Sequence, residues 1–302
     1  MARATKKGKS GFVSVLVIAV VGLLAIGGKL GIVDLSFMGD APSDVESDFS
    51  VHYLDVGQGD CEVIFDHGKV MLIDAGESDE STTVRQYLNH YDVTEIDYVV
   101  ATHPHSDHIG GLTKLLEEYE IKNVIMPKLS KDNTPTTSTY ERFLNAVKAS
   151  GAKVIAANPG SRYTLGQADF QVLAPFEQDD DLNNMSVVLR MEYGTNSFLF
   201  MGDAGKRVER QILNKDFAVD CDVLKLGHHG SSTSNSEDFL LASSPKYAIA
   251  CCGKGNKYGH PHGETVDLLN ELGVELLRTD ENGTVVASVD SNGTLTVQKE
   301  KK

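Results

Sequence analysis

Three histidines and an aspartate crowd into the six residues His103-Pro104-His105-Ser106-Asp107-His108, directly after the apolar run Tyr98–Thr102. A run of that length and β-branched content reads as a strand, so the cluster leaves a strand end as a loop. Imidazoles this close repel one another when protonated and pack poorly. Three ring nitrogens and a carboxylate within one turn of chain are instead ligands suited to Zn²⁺, Fe or Mn²⁺. The fold must therefore present this strand end to other donors.

Two later strands also end in polar groups. Phe198–Met201 runs into Gly202-Asp203-Ala204, and Asp222–Leu226 into Gly227-His228-His229-Gly230-Ser231. In open α/β sheets sites gather at strand ends, so three such clusters can converge. Alone, Asp203 would read as a turn or helix cap. Beside the first cluster it reads as a ligand. His260 and His262 precede a predicted helix and are open to two readings: a late ligand or proton donor to a leaving group, or an ordinary helix entrance at Pro261. His52, His67 and His90 are isolated and receive no role.

The rest of the pattern supplies the frame. Short β-branched runs at Phe49–Val56, Cys61–Asp66 and Lys69–Asp74, broken by Gly57-Gln58-Gly59 and His67-Gly68, read as hairpins. Helices are then expected at 82–91, 112–120 and 140–150, and a strand at 123–126. The second half repeats the order, with strands at 170–174, 187–192, 198–201, 222–226 and 247–250 and helices at 206–213, 236–242 and 265–272. Strands at 284–289 and 295–298 close the chain. Strand alternating with helix implies helices packed on a sheet, and two such half-sheets point to a four-layer αββα sandwich.

Three segments follow: a basic tip and transmembrane anchor at 1–33, a linker at 34–48, and one large domain at 49–302. The run from Phe12 to Val33 is broken only by Lys29 and preceded by Lys6, Lys7 and Lys9. It is long enough to span a bilayer, and the positive-inside rule leaves everything after residue 34 outside the cytoplasm. That predicts a single-pass protein of the cell membrane. A cleaved signal peptide, giving a secreted form, is the rival reading; no clear A-x-A site follows the apolar run. Residues 1–33 hold five basic side chains and no acid, so the formal −15 of the whole chain understates how acidic the remainder is. Such a surface argues against a passive nucleic-acid-coating module, though not against phosphate chemistry at a metal. Cys61, Cys221, Cys251 and Cys252 form no spaced framework and are expected as buried hydrophobes, the last two on opposite sides of a strand.

The sequence resembles the metallo-β-lactamase superfamily, and within it the soluble metallo-hydrolase domain of ComEC-type DNA-uptake competence proteins. The resemblance is carried by Leu54 through Asp60, Leu72 through Gly76, Thr102 through Gly111, Asn184 through Leu189, Gly202-Asp203-Ala204, Asp222 through Ser231 and Tyr258 through His262. It implies His103 and His105 as ligands of a first site, Asp107 and His108 of a second, and Asp203 as the carboxylate bridging both. It also implies Asp74 as a buried aspartate behind the histidine loop, with Asp60, Asn184 and Ser231 supporting the centre from further out. His228 or His229 supplies a late ligand while the other faces substrate; strand alternation puts His228 on the side of Leu224 and Leu226. One departure stands out: no histidine lies between His108 and Asp203, where such proteins place one, and Asp181, Asn183 or Asn184 occupies that region, followed by Ser186. Oxygen ligands there favour Mn²⁺ over Zn²⁺ or a single ion over two.

The activity implied is hydrolysis of a phosphate ester, DNA being the substrate the resemblance points to, with one or two ions activating water and Asp107, His229 and His260 near the reacting groups. A small envelope phosphodiester, of phosphorylcholine type, is the second reading, and a non-catalytic metal-binding module the third. No protein partner is indicated.

Overall fold

The computed structural model describes residues 48–301. The apolar run Phe12–Val33 lies outside the described residues, as does nearly all of the linker. Among the described residues no helix is long and apolar enough to cross a membrane.

β1 (Phe49–Tyr53), β2 (Glu62–Asp66) and β3 (Lys69–Ile73) form antiparallel hairpins. After α1 (Ser81–His90) the direction changes, and β4 (Glu95–Val100), β5 (Glu120–Met126) and β6 (Lys153–Ala156) run parallel to β3. The crossovers are α2 (Ser106–Ile109) with α3 (Leu112–Glu118), and α4 (Ser138–Ser150). The second sheet mirrors this plan. β7 (Arg162–Leu165), β8 (Ala168–Ala174), β9 (Val188–Tyr193) and β10 (Asn196–Phe200) are antiparallel. β11 (Val223–Lys225), β12 (Tyr247–Ala250) and β13 (Glu275–Arg278) then run parallel, separated by α5 (Lys206–Asn214), α6 (Glu237–Ser243) and α7 (Gly263–Glu271). Beyond α8 (Thr279–Asn282), β14 (Val285–Val289) and β15 (Leu295–Lys299) return to the first sheet beside β1. The sheet orders are β15-β14-β1-β2-β3-β4-β5-β6 and β13-β12-β11-β10-β9-β8-β7.

Period-two alternation builds the layers. In β1, Phe49, Val51 and Tyr53 enter a core shared with Phe198 and Phe200 of β10, so this cluster lies between the sheets. Leu199 and Leu224 point the other way, to a cluster with Val208 and Ile212 of α5 and Phe239 of α6. On the first sheet Leu72 and Val99 meet Val84, Leu115 and Phe143 of α1, α3 and α4. Two mixed sheets flanked by helices result. All four cysteines are buried and free. Cys251 joins the inter-sheet core and Cys252 the helix side, as alternation requires.

The strands β6, β7 and β13, like the short α2 and α8, have no counterpart among the expected elements. In β6 the first two residues are exposed and the last two only partly covered. Such an edge strand lacks the apolar alternation that marks a half-buried one.

Candidate metal centre

The polar residues collect where strands of both sheets end. Asp74 follows β3, His103 follows β4, Asp203 follows β10, and His228 and His229 follow β11. Backbone hydrogen bonds stitch the loops together. Asp60 N donates to Asp107 O at 3.1 Å, Ala75 N to His108 O at 2.8 Å, and Gly76 N to Asp60 O at 2.9 Å. Across the sandwich, Val187 N donates to Thr102 O at 2.9 Å, and between the ends of β10 and β11 His228 N donates to Gly202 O at 2.9 Å.

Asp203 sits at the middle with a different neighbour set at each oxygen. Its Oδ1 lies 3.3 Å from His108 Nε2 and 3.6 Å from His229 Nε2, and that same His229 nitrogen is 3.4 Å from Asp107 Oδ2. Its Oδ2 lies 3.6 Å from both His103 Nε2 and His228 Nε2. His105 Nδ1 stands 3.0 Å from His103 Nε2. Ligands about 2.0–2.1 Å from a tetrahedral zinc ion are roughly 3.3 Å from one another, so these spacings suit a shared cation. His108 Nε2, His229 Nε2 and Asp203 Oδ1 are buried without a hydrogen-bond partner, which is costly unless a ligand satisfies them. The donors thus fit two adjacent metal positions. Donor atoms of His103, His105 and Asp203 lie within 4.8 Å of one another, as do those of Asp60, His108, Asp203 and His229, while Asp107 approaches His229 and His228 approaches Asp203 at the rim of these groups.

The other face of each imidazole fixes its tautomer. Asp74 Oδ2 is 2.7 Å from His108 Nδ1, and Asp74 also accepts from Thr102 N at 2.8 Å and Thr102 Oγ1 at 2.6 Å. With its proton directed at Asp74, the Thr102 hydroxyl accepts from His103 Nδ1 at 3.1 Å. His229 Nδ1 donates to the carbonyl of Cys251 at 2.9 Å, with Asp60 Oδ1 3.0 Å away. All three rings therefore turn an unprotonated Nε2 toward the centre once an ion is bound. Asp60 lies on the Nδ1 side of His229 and His108. Although it is close enough to the ligands to look like one, it faces the wrong edge of both rings.

Electrostatics agree with a site built for cations. Burial opposes charge on Asp203, yet His108 and His229 hold it well below the usual carboxylate range. Burial also opposes charge on His229, but Asp203 and Asp60 raise it to about 10. Protons stand in for the positive charge that these carboxylates demand.

Strand alternation does not orient His228 and His229. Both take left-handed backbone conformations, φ 52° and 55°, in the turn Gly227–Gly230, so the pleat ends before them. Both imidazoles consequently reach Asp203, instead of one following Leu224 outward. His229 is buried, whereas the side chain of His228 keeps 25 % of its surface exposed.

Where a histidine is missing between His108 and Asp203, Ser186 packs instead. Its hydroxyl accepts from Asp203 N at 3.0 Å and lies 3.3 Å from His103 Nδ1. Asp181 caps the turn Leu182–Met185, and Asn184 braces Gly205 N at 3.2 Å, behind Asp203. Ser231 bonds to Thr233 within its own loop. His262 accepts from Ser232 N and donates to the Tyr258 carbonyl, so both ring nitrogens are engaged in holding two loops together. His260 is buried with an unpartnered Nδ1, its ring centroid 5.3 Å from that of His228. Burial and the neighbouring His229 push it down to about 4. At neutral pH the ring is uncharged, with one N–H and one acceptor nitrogen. Thr102, Ser186 and Lys225 had no role in the sequence reading; a lysine in the apolar run Val223–Leu226 was the one visible signal.

Residues 54–254 match the family model of the metallo-beta-lactamase superfamily, and the chain belongs to that superfamily, whose members are mostly metallo-hydrolases. Its relatives include ComEC-like competence proteins. ComE operon protein 3 of Bacillus subtilis is 32% identical over 260 residues, covering 80% of this chain and 33% of that protein. Competence protein ComA of Neisseria gonorrhoeae is 30% identical over 251 residues, covering 82% and 33%. The chain thus spans about a third of the length of these relatives. Among solved structures, the metallo-beta-lactamase fold protein YhfI from Bacillus subtilis superposes with a TM-score of 0.53 at 13% identity, over 83% of this chain and 100% of that one. That likeness concerns the fold alone.

Proposed function

We propose that the domain is a metal-dependent phosphodiesterase acting on DNA at the outer face of the membrane, with the run Phe12–Val33 as its anchor. The carrying observation is Asp203, which offers one oxygen to each of two donor groups and so prepares neighbouring sites for two ions. Ions bound there supply Lewis acidity toward phosphoryl oxygens and a water of lowered pKa; Zn²⁺ suits the nitrogen-rich donors, and Mn²⁺ remains the alternative. His105, Asp107 and His228 are the less buried members, and they line the side that a substrate approaches. Competence relatives support DNA as the substrate. So does the rim, where the exposed Tyr258 stacks on His260 with centroids 5.6 Å apart and Lys257 Nζ is 4.9 Å from the Tyr258 ring centre. An aromatic ring with an adjacent lysine suits a base and its phosphate better than a quaternary amine.

The acidic chain favours a second reading, a small envelope phosphodiester that needs no basic track. Metal-loaded protein incubated with single-stranded DNA should release nucleotides, and Asp203→Ala should abolish that release. Headgroup release from a phosphorylcholine diester without DNA cleavage would move the assignment to the second reading. Turnover of neither would sink both.

A further inference from the structure

Behind the centre, Asp60, Glu62 and Cys251 bring two carboxylates and a thiol together, all buried, with their nearest ligand atoms within 4.8 Å of one another. Such a trio resembles a third metal site. Its cation is already present, because the ammonium of Lys225 lies 2.6 Å from Asp60 Oδ2 and donates to the Leu226 carbonyl at 2.9 Å. Lys225 is among the largest side chains buried without exposure, on a strand whose neighbours are otherwise apolar. An ammonium removed from water is costly and persists where its position matters more than its solvation.

We infer that Lys225 is a built-in cation whose task is to hold Asp60 in place against His229, so that this ligand is oriented before any metal arrives. The linkage is short. Lys225 clamps Oδ2 of Asp60 at 2.6 Å, which leaves Oδ1 3.0 Å from His229 Nδ1. The backbone of Asp60 meanwhile bonds to Asp107 O and accepts from Gly76 N, so one residue ties the loop carrying Asp107 and His108 to His229 on the other sheet. A permanent ammonium does this work without exchanging, unlike a bound ion, and it cannot compete for the substrate-facing metals. Lys225 is thus a positioning residue, acting through Asp60 and never touching the reacting atoms. The inference rests on the metal centre and is independent of which phosphodiester is cleaved.

The test compares Lys225→Met, Asp60→Asn and the double variant by Co²⁺ and Zn²⁺ titration and by thermal unfolding of the metal-free protein. Lys225→Met leaves Asp60 buried without its ammonium, and should lower both the unfolding temperature and metal affinity, the latter at least tenfold. The double variant removes both charges with little change of shape. It should recover the unfolding temperature toward that of the wild type while metal affinity stays at least tenfold weak. Recovery of both together would reduce Lys225 to packing and overturn the inference. So would Lys225→Met that binds metal as the wild type does. If Lys225→Met does not fold, the double variant alone decides by the same split. A wild-type protein that takes up no metal would defeat the centre and this inference together, whereas metal uptake without DNA cleavage would leave this inference standing.

Discussion

Asp74 and His108 meet at 2.7 Å in a place closed to water, and Asp74 holds this contact from a left-handed backbone conformation, φ 54°. Through Thr102 the same carboxylate also governs His103, so one side chain sets the tautomer of a ligand in each donor group. Asp74→Ala should therefore weaken metal binding at both positions, by roughly 10–100-fold, the usual loss when a ligand's supporting partner is removed. Titration with Co²⁺, followed by its visible spectrum, resolves the two steps. An effect confined to one ion would contradict the Thr102 relay.

Gly59 is required by space. A Cβ there would stand 2.3 Å from the carbonyl oxygen of Asp107, and its φ of 151° adds backbone strain for any other residue. Gly59→Ala should push the Asp107 loop away from His229, lowering metal content while the far helices keep their amide protection. Mass spectrometry of the metal and hydrogen exchange measure the two halves of that expectation.

Tyr258→Ala should raise KM for a nucleoside phosphodiester by about 5–100-fold, the range expected from losing one stacked base. For a methyl phosphodiester with the same leaving group KM should change by less than about twofold. Equal losses on both substrates would mean that the ring supports His260 instead of the base.

His52, on β1, is buried and hydrogen-bonded to Tyr87 at 2.6 Å and Ser50 at 2.7 Å, and burial lowers its pKa to about 3. A histidine depressed from 6.5 is neutral in the folded state while the unfolded chain takes up the proton. Its contribution is therefore fully present above pH 6.5 and is lost as pH falls toward 3, at up to about 1.4 kcal/mol per pH unit. Urea unfolding of metal-free protein between pH 4 and 7 should show this slope, and His52→Gln should flatten it.

Much of this centre was legible because ligand chemistry concentrates in chain segments. His103 through His108 announce themselves by type and spacing, and β10 and β11 by apolar runs ending in polar turns. The orientation of His228 and His229 was not legible, because two consecutive left-handed residues leave no periodic trace. Nor were Thr102 and Ser186, common residues whose roles arise only when the two sheets are laid together. The edge strand β6 escaped because its exposed residues obey no alternation.

The donors come from both halves of the sandwich: His103, His105, Asp107 and His108 from loops of the first sheet, Asp203, His228 and His229 from loops of the second. Any ion gripped by both sets acts as a clasp across the seam, so metal supply and mechanical cohesion become one variable. The cohesion gained follows RT ln(1 + [metal]/Kd), which makes the stripped protein loosest where it would do its chemistry and lets scarcity of the ion disarm and soften the domain together.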